Sequence, residues 1–252
     1  MTRDVRSIHG HLLGTLPFDQ VHDLQQRLAY ETAGEREPRA TLLLCEHPPL
    51  ITIGRQGSRL HVRADDEDLA RRGLAVQWVN RGGGAIVHAP GQLAVYAIVP
   101  LERFGLTVGA FLECWQRALE ALAAEIHFTP VVRPERLGLW GRGGQVAFVG
   151  TAVRRGVSYF GGYLNVAPPE RLLHLAASDP EGRDSCGKDS PGRGEPTSLA
   201  AEMRRPVRMP TVRQSLLAGL STALGCERYY VFTGHPRLPH FLTPAKDVSR
   251  VE

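Results

Sequence analysis

Arg81-Gly82-Gly83-Gly84-Ala85-Ile86-Val87-His88-Ala89-Pro90-Gly91-Gln92 is the most unusual stretch of the chain. Three successive glycines run into a short apolar strand, Ala85 to His88, and a Pro-Gly turn leads into a second, Gln92 to Val99; the two read as a strand pair. Glycines beside a strand leave backbone N–H groups uncovered, so a ligand can lie directly on the main chain. Arg81 has the chemistry to hold a carboxylate or a phosphate, and His88 to transfer a proton near neutral pH. On these residues alone the plainer reading, a glycine-rich turn with a core histidine, stands ahead.

On either side of this stretch, strands and helices are interspersed without strict βαβ alternation. Residues 17–33 start with Pro17, space Val21, Leu24 and Leu28 at helical intervals and stop at Gly34, which predicts a helix. Thr41–Cys45 and Leu50–Ile53 read as strands broken at His47-Pro48-Pro49, Asp65–Arg72 as a short helix closed by Gly73, and Leu74–Val79 as a strand. Thr107 to His127 is the longest expected helix, with Phe111, Trp115, Leu119 and Leu122 on one face. Four strands are expected next, at Leu137–Trp140, Gln145–Val149, Val153–Tyr159 and Gly162–Val166, then a polar loop from Ala167 to Pro196. A helix at Val212–Leu224 and a strand at Arg228–Phe232 close the order. The expectation is an α/β fold, a mixed sheet carrying helices on one side, with residues 1–233 as a single domain and 234–252 as an extended tail.

Composition narrows the class of function. With 42% hydrophobic and 22% charged residues, the chain has enough apolar surface for a core, which excludes disorder throughout. A net charge of +4 suits acidic protein partners and is too weak, without a dense basic stripe, to argue for nucleic acid. Cys45, Cys114, Cys186 and Cys226 form no CxxC pair, which favours a reducing compartment over disulfides or zinc. No secretory leader and no apolar run of about 18 residues is visible, so the expected location is the cytoplasm, with no membrane partner.

Several motifs fail inspection. Gly182 to Asp189 nearly matches a phosphate-binding loop, but Asp189 stands where a hydroxyl should meet magnesium. Neither Gly82-Gly83-Gly84 nor Gly141-Arg142-Gly143-Gly144 continues into a dinucleotide fingerprint, and no HExxH spacing exists, so neither cofactor nor metal is expected. His9 and His11 are expected on a mobile end, as bystanders.

Arg81 to Leu101 resembles the RGG-x-x-x-x-HGPGQL-x-x-YPI segment of the lipoyl(octanoyl) transferases, the octanoyl-acyl-carrier-protein–protein N-octanoyltransferase family. Other segments fit in order: Glu46-His47-Pro48-Pro49 through Gly54-Arg55 resembles its HPP…GR element, Val157 to Val166 its VTxHGxALNV, and Ser185-Cys186-Gly187 followed by Thr197-Ser198-Leu199 its PCG…TSL. The match covers about residues 40–200. The resemblance implies the α/β mixed-sheet catalytic domain shared with biotin and lipoate protein ligases. It also implies that an octanoyl group moves from octanoyl-acyl carrier protein to the thiol of Cys186, then to a lysine of a lipoyl domain, in 2-oxoacid dehydrogenases or the glycine cleavage H protein. A thioester keeps enough acyl-transfer reactivity for an amine to displace the thiolate without ATP. Carried over by position, Arg81 to His88 line the acyl site, Phe148, Val149 and Gly150 with Gly161, Gly162 and Tyr163 close it, and uncovered N–H groups stabilise the oxyanion.

The sequence departs from the family pattern in three ways: the stretches from Asn165 to Cys186 and from Cys186 to Thr197 are longer than usual, and two single positions differ in their chemistry. Gln145 stands where the family carries the lysine that partners its cysteine, and Phe160 replaces a histidine. Gln145 can donate a hydrogen bond but brings no charge, and a positive charge about 4 Å from a thiolate is worth roughly 4 kcal/mol at an effective dielectric near 20. Lys188 and His88 are the candidates to replace that lysine. A second reading follows: a homologue that keeps the acyl pocket and binds acyl groups or lipoyl domains without transfer. An ATP-dependent ligase fits less well, since ligases of this fold also use a lysine near position 145 and need no cysteine.

Overall fold

The computed structural model of the protein describes residues 5–133, 136–176 and 195–238. Its strands are β1 (Ser7–Thr15), β2 (Arg39–Glu46), β3 (Leu50–Ile53), β4 (Ala75–Trp78), β5 (Ala85–His88), β6 (Gln92–Ile98), β7 (Leu139–Trp140), β8 (Gln145–Arg154), β9 (Val157–Asn165) and β10 (Arg228–Thr233). Its helices are α1 (Phe18–Gly34), α2 (Asp66–Arg71), α3 (Val108–Glu125), α4 (Glu170–Leu173), α5 (Leu199–Met203) and α6 (Met209–Ala223). One sheet runs β10-β1-β2-β6-β9-β8-β7, parallel where β1 meets β10 and β2 and antiparallel elsewhere. A smaller sheet runs β4-β3-β5, with β3 parallel to β4 and antiparallel to β5.

The expected mixed sheet with flanking helices is present, but the helices are not confined to one side. Leu42 and Leu44 of β2 and Leu93, Val95 and Ala97 of β6 join α3 and α6 in one core, around Phe111, Trp115, Leu216 and Leu220. The alternate residues, Leu43 and Cys45 of β2 and Ala94, Tyr96 and Ile98 of β6, join α1 and part of the small sheet in a second. Strands apolar on both faces need cover on both. A third cluster, with Ile51, Ile53, Leu69 and Val87, fills the far side of the small sheet.

Local signals account for the helices. Thr107 caps α3 by accepting from the Ala110 N–H, and Pro210 sits in the first turn of α6, where its missing N–H costs nothing. The two helices approach closely because position 219 is glycine: a Cβ there would lie 3.2 Å from the Ala118 Cα.

Further sequence expectations need correction. Ala85–His88 and Gln92–Ile98 do not pair; the first joins the small sheet beside β3 and the second lies between β2 and β9. The predicted strands at 145–149, 153–159 and 162–166 are two longer ones, β8 and β9, joined by Arg155-Gly156 with φ +51° and +76°. His9 and His11 lie on β1 inside the sheet, where His11 stacks on Phe232 at 5.1 Å between ring centroids. The polar loop contains α4, and a short α5 precedes α6. Of the predicted tail, Gly234 to Leu238 fold back on the sheet and α1: the Gly234 N–H donates to Leu12 O and Arg237 pairs with Glu31 at 2.7 Å. Residues 239–252 lie outside the described part. Among the described residues no helix is long and apolar enough to cross a membrane.

Candidate functional site

The two sheets meet at Gly82-Gly83-Gly84, and glycine there answers to main-chain contact. A Cβ on Gly150 of β8 would stand 2.4 Å from Gly82 O, and one on Gly54 would stand 2.4 Å from Gly83 O. The Gly82 N–H donates to Thr151 O, and the Gly83 N–H donates to the Gln56 side chain at 2.7 Å. These two N–H groups are therefore engaged, and the expected oxyanion-binding role falls away for both. Gly83 at φ +83° adds a conformational reason for glycine.

Arg81 is fully enclosed, which corrects the expectation that it holds an outside anion. Its Nη1 donates to Gly84 O at 2.9 Å, and its Nη2 donates to Thr52 O at 2.9 Å and Thr52 Oγ1 at 2.7 Å. The guanidinium lies 5.7 Å from the Tyr163 ring centroid. Burial pulls its affinity for the proton below the usual value, and Tyr163 and Tyr96 pull the other way.

His88 is the core histidine of the plainer reading and does not face solvent. Its Nδ1 is 2.8 Å from Gln92 Oε1 and its Nε2 is 2.8 Å from Thr52 Oγ1. Burial first, then the nearby His47 and Arg81, hold its pKa well below the ordinary histidine value. Proton transfer near neutral pH, and replacement of the missing lysine, are both at odds with this setting. His47 is alike: Nδ1 is 2.8 Å from Leu16 O, Nε2 is 2.6 Å from the Tyr96 hydroxyl, and burial lowers its pKa to about 4. Burial raises the Cys45 thiol far above its usual range, which makes it a packing residue.

Ala85, Ile86, Val87 and Phe148, four of the predicted site residues, line a small hollow at the seam between the sheets. Asn165, Leu173, Ala176 and Pro196 complete its wall. Ala176 bridges to Val62, and Pro196 bridges to Gln145. The Gln145 N–H donates to Glu195 O, the Thr197 N–H donates to Gln145 O, and the Gln145 side-chain amide donates to Ala147 O at 3.0 Å. Arg63 ties both sides together, its N–H on Leu175 O and its guanidinium on the Glu195 carboxylate. The Cys186 thiol and Lys188 fall within 177–194, outside the described residues.

Other predicted residues sit elsewhere. Gly161 and Gly162 make room for α3: added Cβ atoms would stand 2.9 and 2.6 Å from the Trp115 ring. Val149 is partly buried against the α3 side of the sheet. Phe160, in the place of the family's histidine, is fully buried at φ +60°, with its N–H on the Gln25 side chain and its ring stacked on His22 at 5.4 Å. The uncovered N–H groups of Arg142 and Gly143 bind the Glu202 carboxylate, each at 2.8 Å. Sequence reading passed over Thr52, which bonds Arg81 and His88, and Asn165, which lines the hollow; the available signal was one polar letter inside each of two apolar runs, Leu50-Ile51-Thr52-Ile53 and Tyr163-Leu164-Asn165-Val166.

Helices on both faces of a mixed sheet, with a glycine ribbon and a hollow at the seam to a second sheet, define an α/β domain. The family described as "Lipoyl protein ligase A/B catalytic domain" matches residues 19–221. The octanoyltransferase of Geobacter metallireducens is 36% identical over 204 residues, 81% of this chain and 87% of that protein. That of Roseiflexus sp. is 31% identical over 247 residues, 96% and 98% of the two chains. Among solved structures, lipoate-protein ligase A bound with ATP has a TM-score of 0.61 at 16% identity over 90% of each chain. A putative lipoate protein ligase from T. acidophilum with bound lipoic acid has 0.60 at 14%, again over 90% of each. The structures share the fold. The chain belongs to the lipoyl protein ligase A/B catalytic domain family, as an octanoyltransferase member of it.

Proposed function

We propose that the protein is an octanoyltransferase that carries its acyl group on Cys186. The Cys186 thiolate attacks the thioester carbonyl of octanoyl-acyl carrier protein, and the carrier's thiol leaves with a proton. A lysine amine of a lipoyl domain, in a 2-oxoacid dehydrogenase or the glycine cleavage H protein, then attacks the new thioester. An amide forms, the amine proton passes to the surroundings, and the Cys186 thiolate is released. The location proposed with this activity is the cytoplasm. Neither step calls for a cofactor.

The observation that carries the reading is the wall of the hollow. Ala85, Ile86, Val87 and Phe148 make its wall apolar, and Ala176 and Pro196 bring both flanks of 177–194, the segment holding Cys186, to the same place. Relatives named octanoyltransferase along most of the chain support the same reaction class.

Incubation with octanoyl-acyl carrier protein followed by intact-mass measurement is expected to give one octanoyl adduct, lost in Cys186→Ser and passed to a lipoyl-domain lysine on addition of that domain. No adduct, or an adduct that survives Cys186→Ser, removes the proposal. Gln145 brings no charge to the place of the family's lysine, and this favours the second reading, an acyl-binding homologue without transfer; octanoate binding with no adduct selects it. If Gln145 limits the rate, Gln145→Lys speeds transfer by up to the roughly 10²–10⁴ that a positioned proton carrier contributes. An unchanged rate in that variant takes Gln145 out of the reaction.

A further inference from the structure

Five hydrogen bonds run head to tail from Arg81 to the wall of the hollow, and three groups with a fixed role set their direction. Arg81 can only donate, so Thr52 Oγ1 accepts from it at 2.7 Å. The Val87 carbonyl can only accept, so the Gln92 end 2.9 Å from it is the amide nitrogen, which also donates to Asn165 Oδ1 at 2.8 Å. Gln92 Oε1 therefore faces His88 Nδ1, which must carry the hydrogen, and the bare Nε2 accepts from the Thr52 hydroxyl. The Thr197 carbonyl can only accept, so Asn165 Nδ2 donates to it at 2.9 Å. Three independent constraints agree on one orientation for every amide, hydroxyl and ring.

The register explains why these side chains meet. Thr52 pairs with Ile86 across the small sheet, which sets His88 diagonally beside it on the same face, and Gln92 pairs with Asn165 across the large sheet. Thr52, Arg81, His88 and Asn165 have no exposed surface and Gln92 only 2%. The chain of bonds crosses from one sheet to the other and ends on Thr197, whose own N–H holds Gln145 O. Bonds aligned in this way polarise one another, and a cation at the donor end strengthens the series.

The geometry points to Thr52, His88, Gln92 and Asn165 as positioning residues for acyl transfer, a one-way relay from Arg81 that fixes the Thr197–Gln145 pairing and Asn165 at the hollow. This assignment rests on the octanoyltransferase reading for its effect on rate, but not for its bonding pattern.

Thr52→Val keeps the side-chain volume and removes the hydroxyl, whereas Thr52→Ser keeps the hydroxyl. Nitrogen-15 NMR is expected to find His88 as the neutral Nδ1–H tautomer in the wild type; the Nε2–H form overturns the relay. In transfer from octanoyl-acyl carrier protein to a lipoyl domain, Thr52→Val is expected to lower kcat about tenfold, with KM changed by less than about twofold, and Thr52→Ser to restore it. Wild-type kcat in Thr52→Val, or a loss that Thr52→Ser does not recover, overturns the positioning role. Should Thr52→Val not fold, Asn165→Asp, which can accept from Gln92 but cannot donate to Thr197, is expected to give the same loss, and full activity there overturns it equally. A wild type that transfers no octanoyl group defeats the functional reading and, with it, the role in rate; the tautomer then judges the relay alone.

Discussion

Gly82 and Gly150 face each other main chain to main chain, yet the two positions do not tolerate change alike. A Cβ on Gly150 would lie 2.4 Å from Gly82 O, while one on Gly82 meets nothing closer than 3.7 Å. Gly150→Ala is expected to destabilise by about 1–3 kcal/mol, as overpacking does, and Gly82→Ala to stay within about 0.5 kcal/mol of the wild type. Urea titrations of the two variants test this, and equal losses would remove the asymmetry. At this scale the residue type was legible in the sequence and its role only in part. The glycine ribbon announced a close approach, but the approaching group is the protein's own backbone. His88 read well as a core histidine. Arg81 did not, because three of its four acceptors are carbonyls, of Thr52, Gly82 and Gly84, which no side-chain pattern can reveal.

The longer helices were legible, whereas the short α4 and α5 and the hairpin were not. Pro17 and Thr107 mark helix starts through chemistry confined to one turn, whereas α6, with Pro210 in its first turn, starts at Met209, ahead of the expected Val212. The turn between β8 and β9 needs two residues of positive φ and uses Arg155-Gly156 rather than Asn-Gly, so the apolar run around it broke into three apparent strands. β1 was missed because its stability comes from β2 and β10, distant neighbours, and not from its own His- and Gly-containing letters. Glycine at a turn and at a helix end makes opposite predictions. No atom lies within 4 Å of a Cβ added to Gly156 or to Gly34, but only Gly156 has a positive φ, +76°. Gly156→Ala is expected to lower stability by about 1–2 kcal/mol, and Gly34→Ala to raise it by roughly 0.5 kcal/mol. Thermal melts that move both the same way contradict the assignment of strain to the turn.

Across the whole molecule the buried histidines tie stability to pH. His47 titrates near 4 when folded, against an ordinary value of 6.5, so below pH 6.5 the unfolded chain takes up a proton that the native state refuses. Stability is therefore fully present above about pH 6.5 and declines as pH falls from there towards 4, by about 2 kcal/mol at pH 5 from His47 alone. His88 acts with the same sign. Urea unfolding at pH 7.5 and pH 5 checks the trend, and His47→Gln, which can still accept from Tyr96, is expected to flatten it. A variant as pH-sensitive as the wild type would assign the effect elsewhere. The same scale exposes a feature of assembly. β1 is held on one side by β10, with Ser7 opposite Arg228. A growing chain that has not yet reached Arg228 leaves that flank of β1 without a partner, however well the middle of the sheet has packed. Its last stitch is thus sewn between segments more than 200 residues apart, and any nascent or truncated form that stops short carries a bare strand edge on which foreign chains can add themselves.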